Sequence, residues 1–313
     1  MKVSRFIAKI QHRLWRWFFP GAYQRYVDYN ARLDEINEKL DVLTWILRLN
    51  NNICEIPSAQ GTLRVVQLAD AEFLSEIAAV FDKHNIPYWI SSGTLMGAVR
   101  NGGFIPWDDD IDICTTREHH NRIVSVIEEV YGKNGDVFAV KSDCIRIYKR
   151  GTVCQIDVFA WDILSLPDLT PSTLAKAEKI HRKFNRKVEY DFTKLDTHER
   201  TITCPDDKTI LSMTEEMVSA FDGPHKILVE GIEESHRNFF HWNYDAIFPL
   251  KTIMFEGHRF SCPNDPEALL WEIYGDFMCF PKKINGHSDI ISKIDLKMMR
   301  KMSSMISGKF KTQ

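Results

Sequence analysis

The chain lacks several features that would narrow its reading at once. Its seven cysteines, Cys54, Cys114, Cys144, Cys154, Cys204, Cys262 and Cys279, form no C-x-x-C pair, and their number is odd. A disulfide framework or a cysteine zinc site is therefore excluded as the organising device, and a reducing cytosolic setting fits better. No run of about 18 uninterrupted apolar residues occurs, so no transmembrane helix is expected. Neither sign of charge dominates: 40 Lys and Arg against 43 Asp and Glu leave a formal net charge of -3. Nothing global draws the chain to nucleic acid. Internal repeats and low-complexity stretches are also absent. What remains is a globular composition, 44% hydrophobic and 27% charged over 313 residues, enough for one large domain with appendages or two modest ones.

The even balance hides an uneven placement. Residues 1–20 carry Lys2, Arg5, Lys9, Arg13 and Arg16 and no acid, with Val3, Phe6, Ile7, Ile10, Leu14, Trp17 and Phe18 at helical spacing between them. A basic amphipathic helix ending in aromatics has the pattern of a segment lying in a membrane interface, the plainer alternative being a helix packed on the protein's own surface. Over residues 21–60, Tyr26, Tyr29, Leu33, Ile36, Leu40, Leu43 and Leu47 alternate spacings of three and four. That is about three heptads of an a/d seam, the pattern of a coiled coil and hence of a homo-oligomer, or else of a helix lying on a neighbouring domain. A linker follows at 50–62. Residues 61–290 read as the main domain, and 291–313 as a basic amphipathic tail with Met298, Met302 and Met305 on its apolar stripe.

Within the main domain the pattern predicts a helix over 70–84, a short strand over 86–90 and a turn with a short helix from Ser91. It then predicts a strand over 109–114, a helix over 118–131 and strands at 138–140, 144–149 and 153–160. A basic helix at 172–190 follows, then a hairpin turning at Glu256-Gly257 and a helix over 264–274 with Pro266 in its first turn. Residues 191–249 give no clear pattern.

The chemistry concentrates at Asp108, Asp109, Asp110 and Asp112, just after Ser92, Gly93 and Thr94. Acids this dense repel one another unless a cation or basic partner offsets them. On a strand, Asp110 and Asp112 would project from one face, which suits a hard divalent ion with oxygen ligands. Glycine and small hydroxyl residues upstream let backbone amides approach a phosphate. Downstream, Asp157 interrupts an apolar strand; a buried lone carboxylate calls for a metal or a basic partner, for which Arg146 and Lys149 are candidates.

The stretch GTLMGAVRNGGFIPWDDDIDI resembles the signature of the LicD family, a branch of the nucleotidyltransferase fold. Two weaker patches agree: Lys149 with Gln155-Ile156-Asp157-Val158-Phe159, and Tyr274-Gly275-Asp276-Phe277-Met278 followed by Pro281 and His287. The resemblance covers roughly residues 70–290 in these three patches. It implies an α+β fold with a nucleotidyltransferase-like mixed sheet flanked by helices. It also implies a magnesium or manganese site at Asp110, Asp112 and Asp157 with Asp108 as a further ligand, and Arg100 and His287 on substrate. Gly93, Thr94, Trp107, Arg146 and Lys149 complete the expected substrate contacts, Trp107 as a stacking surface for a base or a choline-like cation. The implied reaction passes phosphocholine, or a similar phospho-alcohol, from a CDP-linked donor to a sugar or glycolipid acceptor of lipopolysaccharide, capsule or teichoic acid type. The chain would act at the inner face of the cell membrane as a peripheral, cytoplasmic protein. Two rivals stand beside this: a nucleotidyltransferase acting on a sugar phosphate, and an inactive membrane-associated oligomeric scaffold.

Overall fold

The computed structural model describes residues 17–50, 52–188, 207–234, 239–281 and 291–307. The chain divides into two compact units, one of residues 1–55 with 278–283 and one of 56–277 with 284–313. In the first, helix α1 runs Pro20–Asn50. Pro20 occupies its opening position, where a missing N–H costs nothing. Its seam residues are exposed, Ile36 at 53% and Leu43 at 55%, but so are Val42 and Trp45 off the seam, so the apolar surface wraps the helix instead of forming one stripe. The basic residues expected to form a helix before it lie outside the described residues, except for the exposed Trp17, Phe18 and Phe19. No described helix is long and apolar enough to cross a membrane.

The second unit runs α2 (Gly61–Lys83), β1 (Trp89–Ile90), α3 (Ser92–Asn101), β2 (Asp112–Thr116), α4 (Arg117–His120), α5 (Ile123–Tyr131), β3 (Val137–Lys141), β4 (Ile145–Lys149) and β5 (Gln155–Leu166). Then come α6 (Pro171–Asn185), α7 (Asp207–Ser219), β6 (His225–Glu230), β7 (His241–Asn243), α8 (Tyr244–Ile247), β8 (Lys251–Phe255), β9 (His258–Cys262), α9 (Pro266–Tyr274) and α10 (Leu296–Ser307). Seven strands form one mixed sheet in the order β1-β2-β5-β4-β3, with β6 pairing β5 and β7 pairing β6; β8 and β9 are a separate hairpin. Only β2 and β5 run parallel among the described pairs, and there Asp112 stands opposite Asp157. This mixed sheet flanked by helices is the architecture expected.

Period-two alternation gives each face of the sheet its task. Ile113, Ile145, Ile147, Ile156 and Val158 turn to one side and bury against Phe73, Leu74 and Ile77 of α2 and Ile123 and Ile127 of α5. Farther along the same face, Leu164 and Leu166 meet Ala177 and Phe184 of α6 and Met217 of α7. On the opposite face, Trp161 joins Trp89, Cys114, Trp242 and Leu269 in a third cluster. That cluster stops short of the strand ends at Asp112 and Asp157. The methionine stripe of the tail proves to be core: Met302 is fully buried and Met298, Met299 and Met305 pack on the α2 side.

Several boundaries differ from the sequence reading. α2 begins at Gly61 instead of residue 70, because Val66 and Gln67 also bury. β5 continues to Leu166, since its second half pairs with β6. α6 ends at Asn185, whose side-chain amide donates to the carbonyls of Ile232 and Glu234. The acidic strand starts at Asp112, so Asp108, Asp109 and Asp110 lie in the loop that leads to it. Four described elements, α7, β6, β7 and α8, occupy the stretch that gave no pattern.

α3 sits directly on that loop. It ends on Gly102 in the left-handed region at φ 66°, and a Cβ at Gly97 would collide with the carbonyl oxygen of Gly103 and stand 3.0 Å from the Ile105 nitrogen. Both obstacles are backbone, which cannot rotate away. Gly97→Ala should therefore destabilise the protein by about 1–3 kcal/mol, read as a lower urea midpoint with an unchanged slope.

Candidate active site

The acid loop is held from three directions. From α2, the buried Gln67 amide donates to the carbonyls of Ile105 (3.2 Å) and Asp108 (2.8 Å). From the β8–β9 turn, Glu256 accepts the Phe104 N–H at 3.0 Å while Arg64 grips it through two bonds of 2.7 Å. From α3, the Thr94 hydroxyl accepts the Asp112 N–H at 2.9 Å. The Asp157 N–H donates to Ile111 at 2.9 Å and the Ser91 N–H to Asp112 at 3.0 Å, which locks the strand ends together.

Asp112 and Asp157 share a face because their strands are parallel and in register. Arg146 faces Asp157 from β4. Its Nε lies 3.4 Å from Asp157 Oδ2, and its Nη1 donates to Asp143 at 3.0 Å and to Ser142 at 2.5 Å. Gln155 donates to Asp157 Oδ1 at 2.5 Å. Burial pushes Asp157 up to about 6, against the lowering effect of Arg146 and Gln155, with Asp110 adding repulsion. Burial and the charges of Asp110, Asp157 and Asp108 raise Asp112 well above the carboxylate range, and burial with Asp110 raises Asp108 to about 8. The expected grouping of Asp108, Asp110, Asp112 and Asp157 is thus present as mutual repulsion, although Asp110 reaches it from the loop.

Among the described residues no three carboxylate, imidazole or thiol groups converge as a ready-made ligand set. Two adjacent carboxylates, of which Asp157 is only partly offset by Arg146, still fit magnesium, which is commonly held by one or two carboxylates and completes its shell with water and phosphate oxygens. Asp112 and Asp157 are the pair placed for this, with Asp108 and Asp110 beside them.

Other expected site residues fall in different places. Gly93 borders the cluster: a Cβ there would stand 2.7 Å from Asp108 Oδ2, so the glycine makes room for a carboxylate. Thr94 is buried and spent on the Asp112 backbone. Trp107 is half-buried in the turn before the acids. Arg100 does not project as a phosphate fork. It is buried, and its Nη1 donates to the Phe277 carbonyl at 2.8 Å, tying α3 to the Tyr-Gly-Asp-Phe segment. Lys149 shares the helix-covered face with Ile145 and Ile147, where Glu76 (2.8 Å) and Asp136 (3.1 Å) hold it, so it does not join Asp157. His287 lies outside the described residues.

Two residues, Tyr274 and Asp70, drew no site role from the sequence, and Ser92 only a general one. Ser92 adopts a left-handed φ of 49°, a strained conformation for a serine, and its hydroxyl lies close enough to Asp112 and Tyr274 to favour their ionised forms. Tyr274, at the end of α9, is raised to about 12 by burial and by Asp112, Asp108 and Asp110. Asp70 on α2 is buried and raised well above its usual range, by burial first and then by Asp110 and Asp109. Tyr274 opens the quoted Tyr-Gly-Asp patch, a signal that could have found it, and Ser92 heads the small-residue run before the acids; Asp70 carries no such signal.

Comparison with known proteins agrees with this geometry. Residues 85–207 match the model of the LicD/FKTN/FKRP nucleotidyltransferase domain. The lipopolysaccharide cholinephosphotransferase LicD of Haemophilus influenzae is 25% identical over 250 residues, 70% of this chain and 92% of that protein. The human ribitol 5-phosphate transferase FKRP is 40% identical over 37 residues, 12% of this chain and only 8% of that one. Among solved structures, ANT(2'')-Ia with adenylyl-2''-tobramycin aligns at a TM-score of 0.23 and 13% identity, over 48% of this chain and 94% of that one, too loosely to carry an argument. The matched span contains the whole acid loop, β2 and the paired carboxylates of Asp112 and Asp157, so the similarity to the LicD-family nucleotidyltransferase domain extends across the candidate site.

Proposed function

We propose that the protein is a metal-dependent phosphotransferase that moves phosphocholine, or a similar phospho-alcohol, from a CDP-linked donor to a sugar hydroxyl of a cell-surface glycan or glycolipid. The observation that carries this reading is the in-register pair Asp112 and Asp157 near the start of two parallel strands. The name and coverage of the Haemophilus influenzae relative supply the choice of phosphocholine and of a surface glycan.

Asp112 and Asp157 would hold magnesium or manganese, which supplies charge neutralisation on the diphosphate. Asp157, held by Arg146 and Gln155, is the carboxylate that would accept the proton. The acceptor oxygen bonds to the phosphorus that carries the alcohol, and its proton passes to the Asp157 carboxylate. The bond from that phosphorus to the bridging oxygen breaks, and CMP leaves with the electron pair. Arg146 and Gln155 fix the base in place. The exposed Trp17, Phe18 and Phe19, following a basic stretch, support a peripheral position at a membrane surface, where a lipid-linked acceptor would be met.

The test is incubation of the full chain with CDP-choline, CDP-glycerol or CDP-ribitol, each with magnesium or manganese and a saccharide acceptor, followed by mass analysis. Release of CMP with a phospho-alcohol on the sugar is expected. Pyrophosphate released from CTP would assign the acids to nucleotidyl transfer instead.

A further inference from the structure

The face of the sheet that carries the acids continues away from them, and α9 runs along it. Its first turn is capped by Asp265, which accepts the Ala268 N–H at 3.1 Å. Its last residue, Tyr274, lies near Ser92 and within electrostatic reach of Asp112. Nine helical residues span about 13 Å. Leu269 and Leu270 bury the inner side of α9, while Trp271 is 59% and Tyr274 44% exposed. Residues three apart share a helix face, so indole and phenol stand together on the outer one. Among the described residues no ring or cation stacks on Trp271.

At the far end of α9 lies a cleft of about 520 Å³ lined by Lys226, Asn243, Tyr244, Asp245 and Asp265, among others. It sits where Lys226 pairs with Ser165 on β5, roughly 26 Å from Asp157 at about 3.3 Å per strand residue. Its volume is that of a small-molecule site, and its lining mixes amide, carboxylate and ammonium groups with a phenol and an imidazole ring. The Lys226 ammonium lies 5.5 Å from the centre of the Tyr244 ring.

We propose that the Trp271 face of α9 and the Lys226–Asn243–Asp245 cleft form an extended site for the acceptor saccharide, leading from the acids along the sheet. The word acceptor rests on the function proposed above; the saccharide does not. Sugar rings offer apolar C–H faces that suit an exposed indole, and hydroxyls that suit amides, carboxylates and an ammonium in one groove. A membrane is the other surface that seeks an exposed tryptophan. Glu267 and Glu272, both exposed beside Trp271, would repel an anionic leaflet, whereas neutral hydroxyls accept such neighbours.

The full-length protein, without donor or metal, is passed over immobilised oligosaccharides of lipopolysaccharide-core, capsular and teichoic-acid type. Retention on at least one is expected. Trp271→Ala, and separately Lys226→Ala with Asn243→Ala, should each weaken that retention about tenfold at an unchanged melting temperature, with Trp271→Phe keeping most of it. Asp112→Asn should bind as the parent does. Absence of retention on every saccharide, or full retention by both sets of variants, overturns the proposal. So does a Trp271→Ala protein that loses phosphatidylglycerol vesicles but not saccharide. If no CDP-linked donor yields CMP while saccharide retention behaves as stated, the phosphotransferase reading fails and this one stands.

Discussion

Asp112→Asn is expected to abolish transfer, by about 10³-fold or more, while leaving the protein as stable as before or more so. The two halves of that outcome share one cause. Burial and three neighbouring acids raise the Asp112 carboxyl well above its usual range, so its ionised form weakens the fold even as it creates the attraction for a cation. An amide of the same shape removes the repulsion and the ligand together. The pH dependence follows with a definite sign. Asp157 at about 6 and Asp108 at about 8 keep protons in the folded state that the unfolded chain gives up near 4. Stability without metal should therefore fall as pH rises from about 4 to about 8 and level off above. Magnesium added at pH 8 should raise the melting temperature by a few degrees through binding to the folded state alone, and Asp112→Asn should show a smaller fall and no magnesium response. Thermal melts across pH with and without magnesium check this; a parent protein with flat stability from pH 4 to 8 would remove the repulsion on which the metal assignment rests.

Arg117→Met should cost about 3–5 kcal/mol, a large share of the roughly 5–15 kcal/mol that holds a typical domain together. Arg117 lies on the helix-covered face, away from the acid loop, and carries two buried carboxylates at once. Its Nε and Nη2 donate to Asp162 at 2.8 and 2.9 Å, its Nη2 donates to Glu233 at 2.7 Å, and its Nη1 also meets Glu233. At Glu233 burial is outweighed by the guanidinium and the carboxyl is held down to about 2; at Asp162 burial wins and the carboxyl is raised. Removing the arginine leaves both acids in the interior without their cation. Replacing all three, with Met at 117 and Leu at 162 and 233, should recover most of the loss, because buried ion groups exchange well for apolar residues of similar volume. Urea melts of the single and triple variants distinguish this from a packing effect, which the triple variant would not relieve.

Much of the fold could be read where local chemistry is decisive. Glu256-Gly257 turns the hairpin, with Glu256 at φ 48° and Gly257 at φ 78°; Pro266 and Gly275 bracket α9 as their backbone preferences require. The acid cluster was legible because carboxylates so close in sequence remain close in any fold. Lys149 shows what was overlooked: Ile145 and Ile147 turn to the core, so the residue two further on turns there as well, away from Arg146. Arg100 could not have been placed, because its partner is a backbone carbonyl 177 residues away. Residues 207–247 were opaque for a similar reason. Their short strands, β6 and β7, gain their form from pairing with β5 and with each other, which no local periodicity announces.

The grip of Glu256 on Arg64 spans 192 residues of chain, and that same carboxylate fastens the loop ahead of the acids. A nascent chain emerges from its N-terminus, so the acid loop is synthesised long before the hairpin that fastens it. Until residue 256 has left the ribosome, the loop lacks that fastening. Such distant closure is slow to form, so the loop takes its final shape only when most of the chain has been made.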